Sequence, residues 1–206
     1  MDRKQIHKEV LEAKTTEELM VAYEKWADQY DSDLLTEMGY QAPAMTTAIF
    51  KKHVNEYDAK ILDAGCGTGI VGTLLKQSGF TSVDGLDYSQ EMLQKANQKQ
   101  DYSALIKADL TKPLDLDSNQ YDAIISVGTF TLGHVGPDAF SELVRITKPG
   151  GTICFTVRQE AWVEHEYRQR TMDFELAKKW ELKEMQTIAY IREDGSSCKV
   201  LVYEVG

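Results

Sequence analysis

The strongest constraint on the fold is a regular alternation of two kinds of segment that begins at Lys60. Short apolar runs of strand-like composition alternate with amphipathic segments of helical spacing as far as Val157. The alternation predicts five strands, at Lys60–Ala64, Ser82–Leu86, Ala104–Ala108, Tyr121–Val127 and Thr152–Val157. Strands separated by helices pair in parallel, and the helices cover both faces of the sheet. The chain is therefore predicted to form a doubly wound, mostly parallel α/β sheet.

The segments on either side of this alternation have a different character. Residues 1–58 are predicted to be helical, and we expect them to form a lid on the core of residues 59–206, within one compact domain. Glu160–Trp180 has the composition of one helix, either continuous or broken. Two β-rich runs joined by the turn signal Asp194-Gly195 then follow, namely Leu182–Arg192 and Cys198–Val205. The sheet should thus end in an antiparallel hairpin.

Composition narrows the classes of function. The 206 residues are 42% hydrophobic, which is enough for a sizeable core. A net charge of −10 disfavours a protein that grips nucleic acid backbones. The three cysteines form no C-x-x-C pair, and the sequence contains neither an apolar signal core nor a stretch suited to a membrane span. We expect a cytoplasmic protein, monomeric or weakly dimeric, with no metal site and no nucleic-acid or membrane partner.

The loop after the first strand is rich in glycine and has two interpretations. Counted from Gly67 it matches the dinucleotide fingerprint G-x-G-x-x-G, whereas counted from Asp63 it is D-x-G-x-G-x-G. A dinucleotide loop places its first glycine directly after the strand. That glycine is Gly65, and the fingerprint counted from it requires a glycine where Ile70 stands. The spacing favours a different loop, Gly65–Gly69, whose backbone a ligand can approach closely.

Three acidic residues, Asp63, Asp87 and Asp109, end or follow the first three strands. The carboxyl ends of parallel strands meet at one edge of the sheet, where α/β proteins bind their ligands. Three acids at that edge suit a ligand with an ammonium group, a ribose and an adenine amino group. They suit a pyrophosphate poorly, because like charges repel.

The motifs in this region resemble, in their order along the chain, those of the class I S-adenosylmethionine-dependent methyltransferases. They are Asp63–Gly69, Gly85–Ser89, Ala108–Leu110, Tyr121–Ser126 and Lys148–Gly151. The helix that carries Trp26-Ala27-x-x-Tyr30-Asp31 is most similar to the methyltransferase-like protein 27 subgroup. The resemblance implies a Rossmann-like fold, S-adenosylmethionine as cofactor and methyl transfer as the activity.

The resemblance also implies a role for each matching residue. Asp63 would hold the methionine ammonium, Asp87 the ribose diol and Asp109 the adenine amino group. The other implied cofactor contacts are Tyr23 and Tyr30 in the N-terminal helix, Ala64, Gly65, Cys66, Gly67, Thr68 and Gly69 in the loop, Tyr88, Met92 and Leu110 around the adenine, and Ser126 and Val127 near the sulfonium.

The acceptor and the catalytic step are less constrained. Residues 126–129 lack the Asn/Asp-Pro-Pro-aromatic sequence with which family members present a base amino group, so methylation of nucleic acid bases is disfavoured. His134, after the fourth strand, is a candidate general base, and a structural histidine bonded to backbone is the other interpretation. The expected acceptor is a small, partly apolar metabolite. Its predicted pocket contains Phe130, Leu132, Arg158 and Trp162.

Two other functions remain open at this point. One is a protein that binds S-adenosylmethionine without catalysis of its own. The other is a nicotinamide-dependent oxidoreductase, against which Asp109 and the misplaced third glycine both count.

Overall fold

The central feature of the fold is one seven-stranded sheet. A computed structural model describes Glu9, Glu18, Val21, Ala22, Lys25, Trp26 and residues 29–131, 135–164 and 166–206. The strands in this part of the chain are β1 Lys60–Ala64, β2 Ser82–Asp87, β3 Ala104–Lys107, β4 Tyr121–Phe130, β5 Thr147–Arg158, β6 Trp180–Ala189 and β7 Ser197–Val205. Their order is β3-β2-β1-β4-β5-β7-β6, and β1 to β5 pair in parallel. β7 is antiparallel to both of its neighbours, so the predicted Rossmann-like sheet with a terminal antiparallel hairpin is confirmed.

Helices cover both faces of this sheet. Those in the described residues are α1 Tyr30–Ser32, which continues as a π-helical turn over Asp33–Glu37, α2 Ala42–His53, α3 Ile70–Gln77, α4 Gln90–Lys99, α5 Phe140–Ile146 after a 3-10 turn at Pro137–Ala139, α6 Gln159–Glu164 and α7 Tyr167–Leu176. Alternate residues of a strand point to opposite faces, and accordingly Ile61 and Leu62 of β1 belong to different hydrophobic clusters. Phe50 of α2 lies in the first cluster and Phe140 of α5 in the second. The carboxyl ends of the parallel strands, which form what we call the carboxyl edge of the sheet, thus lie between two packed layers.

Two strands are longer than predicted. β4 continues beyond Val127 to Phe130, and β5 begins at Thr147 instead of Thr152. Tyr121 pairs with Thr147, and the register shifts before Ala123 pairs with Thr152. The turn signal in residues 148–151 therefore lies inside a strand, because pairing with β4 resumes on the other side of it.

The predicted helical segment Glu160–Trp180 is broken, and its last residue is not helical. The segment divides into α6 and α7, and Trp180 begins β6. The Trp180 ring stacks on Tyr203 of β7 with 4.1 Å between centroids, and its Nε1 donates to the carbonyl of Thr171 at 3.2 Å. Burial of a large aromatic ring with a satisfied N–H against the neighbouring strand stabilises the extended conformation here.

The N-terminal region packs on one face of the sheet. Ile49 and Phe50 of α2 are buried there, whereas Met45 is exposed. Ala22, Trp26 and Leu34 belong to the same hydrophobic cluster, whereas Val21 is half exposed. That residues 1–58 form a lid stays a prediction.

Candidate active site

The glycine loop between β1 and α3 is bound tightly to the strands beside it. The amides of Gly65 and Cys66 both donate to the carbonyl of Leu86 in β2, at 2.7 and 2.9 Å. Gly65 has a φ of +81°, and a Cβ there would lie 2.2 Å from Oγ1 of Thr129, so this position requires glycine. A Cβ at Gly67 would meet nothing within 4 Å. The loop is therefore closely packed at Gly65 and open at Gly67.

Asp63, the last residue but one of β1, is fully buried beneath this loop. Its Oδ2 accepts a hydrogen bond of 2.6 Å from the Tyr102 hydroxyl, while its Oδ1 is buried with no hydrogen-bond partner among the described residues. Burial raises the pKa of Asp63 to about 7, the Tyr102 hydrogen bond lowers it, and the negative charge of Asp87 raises it. A buried acceptor oxygen without a donor is a site that a cationic ligand group would satisfy.

Asp87 ends β2 and holds two backbone amides. Gly67 N donates to its Oδ2 at 2.8 Å, and Ser89 N donates to its Oδ1 at 2.9 Å. Burial raises the pKa of Asp87, and these amide hydrogen bonds oppose the rise. Ser89 in turn caps α4 as predicted, since its hydroxyl accepts from Met92 N at 3.2 Å. Each carboxylate oxygen keeps accepting capacity for a further donor such as a ribose hydroxyl.

Asp109 lies in the turn after β3 and is partly exposed. Its Oδ1 accepts from the amide and the hydroxyl of Thr111, at 2.9 and 2.6 Å, and its Oδ2 lies 3.2 Å from Lys112 Nζ. Burial acts to raise the pKa of Asp109, but the hydrogen bonds from Thr111 outweigh it and hold the pKa below its usual value. The carboxylate is therefore ionised at neutral pH and oriented by its own turn.

The other side chains expected around an adenine differ in exposure. Met92 and Leu110 are buried, whereas Tyr88 is 39% exposed at the surface of the site. This combination would offer two buried apolar side chains and one exposed aromatic ring to an adenine bound after β2 and β3.

Two residues of β4 have their side chains engaged within the fold. Ser126 lies inside β4, within the predicted strand, and its hydroxyl donates to the carbonyl of Ala64 at 2.6 Å. That hydrogen bond commits the side chain to the β1 backbone. Phe130 was expected in the acceptor pocket, but it is 1% exposed and packs on Phe140 and Phe155 in the core. The burial of Phe130 follows from the extra length of β4. Val127 remains at the edge of the buried region.

Tyr102 is a site residue that the sequence did not reveal. Its ring fills the space that three glycines leave open, since a Cβ at Gly69, Gly72 or Gly85 would lie within 3.1 Å of it. Its hydroxyl accepts from Gly72 N at 3.1 Å and donates to Asp63. One tyrosine thus supports both the start of α3 and the buried carboxylate. One signal was available in the sequence. Glycines on neighbouring elements leave a space that a large side chain from another part of the chain has to fill.

Asp31 is a second residue that sequence reasoning did not assign. It accepts a hydrogen bond from the Thr68 hydroxyl in the glycine loop, and its Oδ2 lies 2.5 Å from Lys99 Nζ. In the same segment, Trp26 Nε1 donates to Asp33 Oδ2 at 2.8 Å and the Trp26 ring packs edge-on against Tyr30. The α1 segment is thereby attached directly to the glycine loop.

Two of the predicted site residues, Tyr23 and His134, lie outside the described residues, as does Leu132. Trp162 of α6 is partly buried against the second hydrophobic cluster. Within the described ranges, no group of three or more histidine, cysteine or acidic side chains is arranged to hold a metal ion.

The chain is similar in sequence to known methyltransferases. Residues 62–155 match the family model described as "Methyltransferase domain". The chain is 36% identical over 139 residues to methyltransferase-like protein 27 from Homo sapiens, a match covering 66% of this chain and 56% of that protein. It is 30% identical over 139 residues to a malonyl-[acyl-carrier protein] O-methyltransferase from Salmonella typhimurium, covering 67% and 52%. The chain thus spans about half the length of these curated relatives.

The fold is similar to solved structures as well. The structure of a SAM-dependent methyltransferase from Aquifex aeolicus superimposes with a TM-score of 0.64 at 18% identity, over 91% of this chain and 98% of that one. At this identity the similarity concerns the fold alone.

Tyr102→Phe should raise the pKa of Asp63 further above 7, by about one pH unit, because it removes a hydrogen bond that stabilises the ionised carboxylate. At pH 7 a larger fraction of Asp63 would then be protonated. The measurement is a carboxyl-carbon NMR titration. Tyr57→Phe, which changes an exposed tyrosine, is the control and should leave the titration unchanged. An identical Asp63 midpoint in Tyr102→Phe and the wild type would contradict this account.

Proposed function

We propose a function for this chain from the family to which it belongs, the class I S-adenosylmethionine-dependent methyltransferases. On this proposal it transfers the methyl group of S-adenosylmethionine to a small, partly apolar acceptor. The observation that carries the proposal is the buried, unpartnered Oδ1 of Asp63 under a glycine loop that is open at Gly67. A dinucleotide pyrophosphate would bring negative charge to that oxygen, whereas the methionine ammonium brings a donor and a positive charge.

The residues present fit the cofactor along its whole length. Asp63 would accept from the ammonium, and the backbone of residues 65–69 would lie along the methionine. Asp87 would accept from the two ribose hydroxyls while its amide hydrogen bonds hold it in place. Asp109 would accept from the adenine amino group, with Tyr88 and Leu110 beside the adenine ring. Tyr23 and Tyr30 would approach from the N-terminal segment, and Val127 would border the sulfur.

When bound, S-adenosylmethionine supplies a methyl group on a positively charged sulfur, which is an activated leaving group. The protein then has to orient the acceptor in line with the sulfur–carbon bond and exclude water. A base is required only for an acceptor that must lose a proton. We assign that role to His134, and we propose that the acceptor binds near Arg158 and Trp162.

The α1 segment would act as a lid. Its contact between Asp31 and Thr68 joins it to the loop that binds the methionine part, so opening requires that contact to break. A segment that opens for ligand exchange is drawn from the least stable part of a protein.

We further propose a reducing, cytoplasmic setting and a monomeric or weakly dimeric state without a nucleic-acid partner. All three cysteines are unpaired and buried, which suits a compartment where thiols stay reduced. The net charge of −10 opposes binding to a nucleic acid backbone. No helix in the described residues is both long and apolar enough to cross a membrane.

The main competing function is binding of S-adenosylmethionine without catalysis. A methyl-transfer screen with a metabolite extract and isotopically labelled cofactor separates the two. Labelled product above the enzyme-free control supports the proposal, whereas cofactor binding without any labelled product favours the competing function.

Calorimetry should detect S-adenosylhomocysteine binding in roughly the micromolar range and no binding of NAD. Asp87→Asn should weaken the first interaction by about tenfold or more, because both ribose hydrogen bonds lose a charged acceptor. Asp58→Asn is the matched control, since Asp58 is an exposed acid ahead of β1, at the opposite edge of the sheet. Tight NAD binding, or full affinity in Asp87→Asn, would contradict the assignment.

His134→Ala should lower turnover by about a hundredfold without weakening cofactor binding, if the acceptor must lose a proton to this histidine. His53→Ala is the control. His53 lies away from the site, and its Nε2 is 2.6 Å from Oε2 of Glu184. Loss of thermal stability in His134→Ala with an unchanged rate per folded molecule would make this histidine structural.

Bound S-adenosylhomocysteine should slow amide hydrogen exchange in residues 29–37 and leave the core helix α2 unchanged. Asp31→Asn should reduce this protection, since the lid loses its charged contacts with Thr68 and Lys99. Equal protection with and without ligand would identify the segment as a fixed part of the fold.

A further inference from the structure

We propose that Arg158 binds an anionic group of the methyl acceptor and thereby selects acidic acceptors. The proposal rests on the proposed function and extends it by naming a chemical class. Arg158 is the last residue of β5, at the carboxyl edge of the sheet where the cofactor residues lie. Four observations support the assignment.

The first observation is a chain of contacts through β4 that leads from the cofactor loop towards this arginine. Thr129 of β4 packs against Gly65, and the neighbouring residue Gly128 forms an irregularity at which β4 shifts register against β5. Gly128 has a φ of +81°, and a Cβ there would lie 2.6 Å from the Tyr40 hydroxyl and 3.3 Å from the Tyr190 hydroxyl. Two residues of one strand thus connect the glycine loop to a tyrosine pair.

The second observation is that this tyrosine pair is an uncharged donor surface. The two hydroxyls lie 3.4 Å apart, and the rings pack edge-on with 5.0 Å between centroids. Tyr40 is fixed by the bridge between its backbone and Ile191. Burial is the largest cause that raises the pKa of both phenols above its ordinary value. Both hydroxyls therefore stay protonated at neutral pH; Tyr40 donates its proton to Tyr190, and the Tyr190 proton faces outward from that bond as the donor of the pair.

The third observation is the state of Arg158 itself. Its guanidinium lies 5.0 Å above the ring of Tyr190, and its side chain is only 18% exposed. The Nε atom is buried and finds no hydrogen-bond acceptor among the described residues. A buried cationic donor without an acceptor is costly, so a ligand that supplies one gains binding energy.

The fourth observation is a carboxylate already close to the guanidinium. Glu160 Oε2 lies 3.5 Å from Arg158 Nε, beyond good hydrogen-bond geometry, and the Glu160 side chain is 48% exposed. An exposed side chain in a loose ion pair is readily displaced. The site therefore accepts a carboxylate-like group, and a ligand anion would take the place of Glu160.

A planar guanidinium matches the geometry of a carboxylate or a phosphate, with two parallel hydrogen bonds. The tyrosine rings beside it suit an apolar or aromatic body. Benzoate, phenyl phosphate and neutral benzamide are therefore suitable probes. They share one ring and differ only in the group presented to Arg158.

The test is a calorimetric titration of these three probes into the complex with S-adenosylhomocysteine. We expect benzoate or phenyl phosphate to bind at least about tenfold more tightly than benzamide, and the stronger of the two identifies the anion. Arg158→Gln should remove this preference without changing affinity for S-adenosylhomocysteine. Arg158→Lys keeps the positive charge but loses the paired N–H donors of the guanidinium, so it should retain part of the preference for an anion. Glu160→Gln is the matched control and should bind the anion at least as well as the wild type.

The proposal is overturned if the wild type shows no preference for an anion. It is also overturned if Arg158→Gln weakens all three probes equally, or if Glu160→Gln loses anion binding as Arg158→Gln does. These titrations require no methyl transfer. Failure of the proposed function would appear separately, as anion-selective binding without labelled product in the metabolite screen.

Discussion

The burial of one carboxylate, that of Asp63, organises the whole ligand-binding edge of this protein. An ionised group in an apolar setting is costly, and among the described residues only the hydroxyl of Tyr102 donates a hydrogen bond to this carboxylate. On the proposed function, the other oxygen would accept from the ligand. Because Tyr102 also supports the first turn of α3, the binding group and the glycine loop are positioned by the same side chain. On the proposed function, recognition of the methionine ammonium would therefore depend on the packing of Tyr102.

The architecture could be predicted from the sequence because it depends on local patterns. The alternation after Lys60 and the signal at Asp194-Gly195 are each contained in a few neighbouring residues, and both led to the observed sheet. The early start of β5 and the strand conformation of Trp180 were not predicted, for the opposite reason. Pairing with β4 and stacking of Trp180 on Tyr203 decide those conformations, and both partners are distant in sequence.

The same distinction explains what could be predicted of the site. Asp63, Asp87 and Asp109 follow strands, so the topology alone brings them to one edge. Tyr102 and Asp31 reach the loop across tertiary contacts that no spacing encodes. Ser126 shows the converse, a residue at the expected position whose hydroxyl is committed to the backbone of Ala64.

The placement of the three acids has a kinetic consequence on the proposed function. The ammonium, the ribose and the adenine are identical in the cofactor and in the thioether that remains after transfer. Asp63, Asp87 and Asp109 therefore bind substrate and by-product alike, which is uniform binding and contributes nothing to the chemical step. The by-product would remain held by the same contacts, and its departure would depend on release of the Asp31–Thr68 contact. Product release would then limit the turnover of this enzyme.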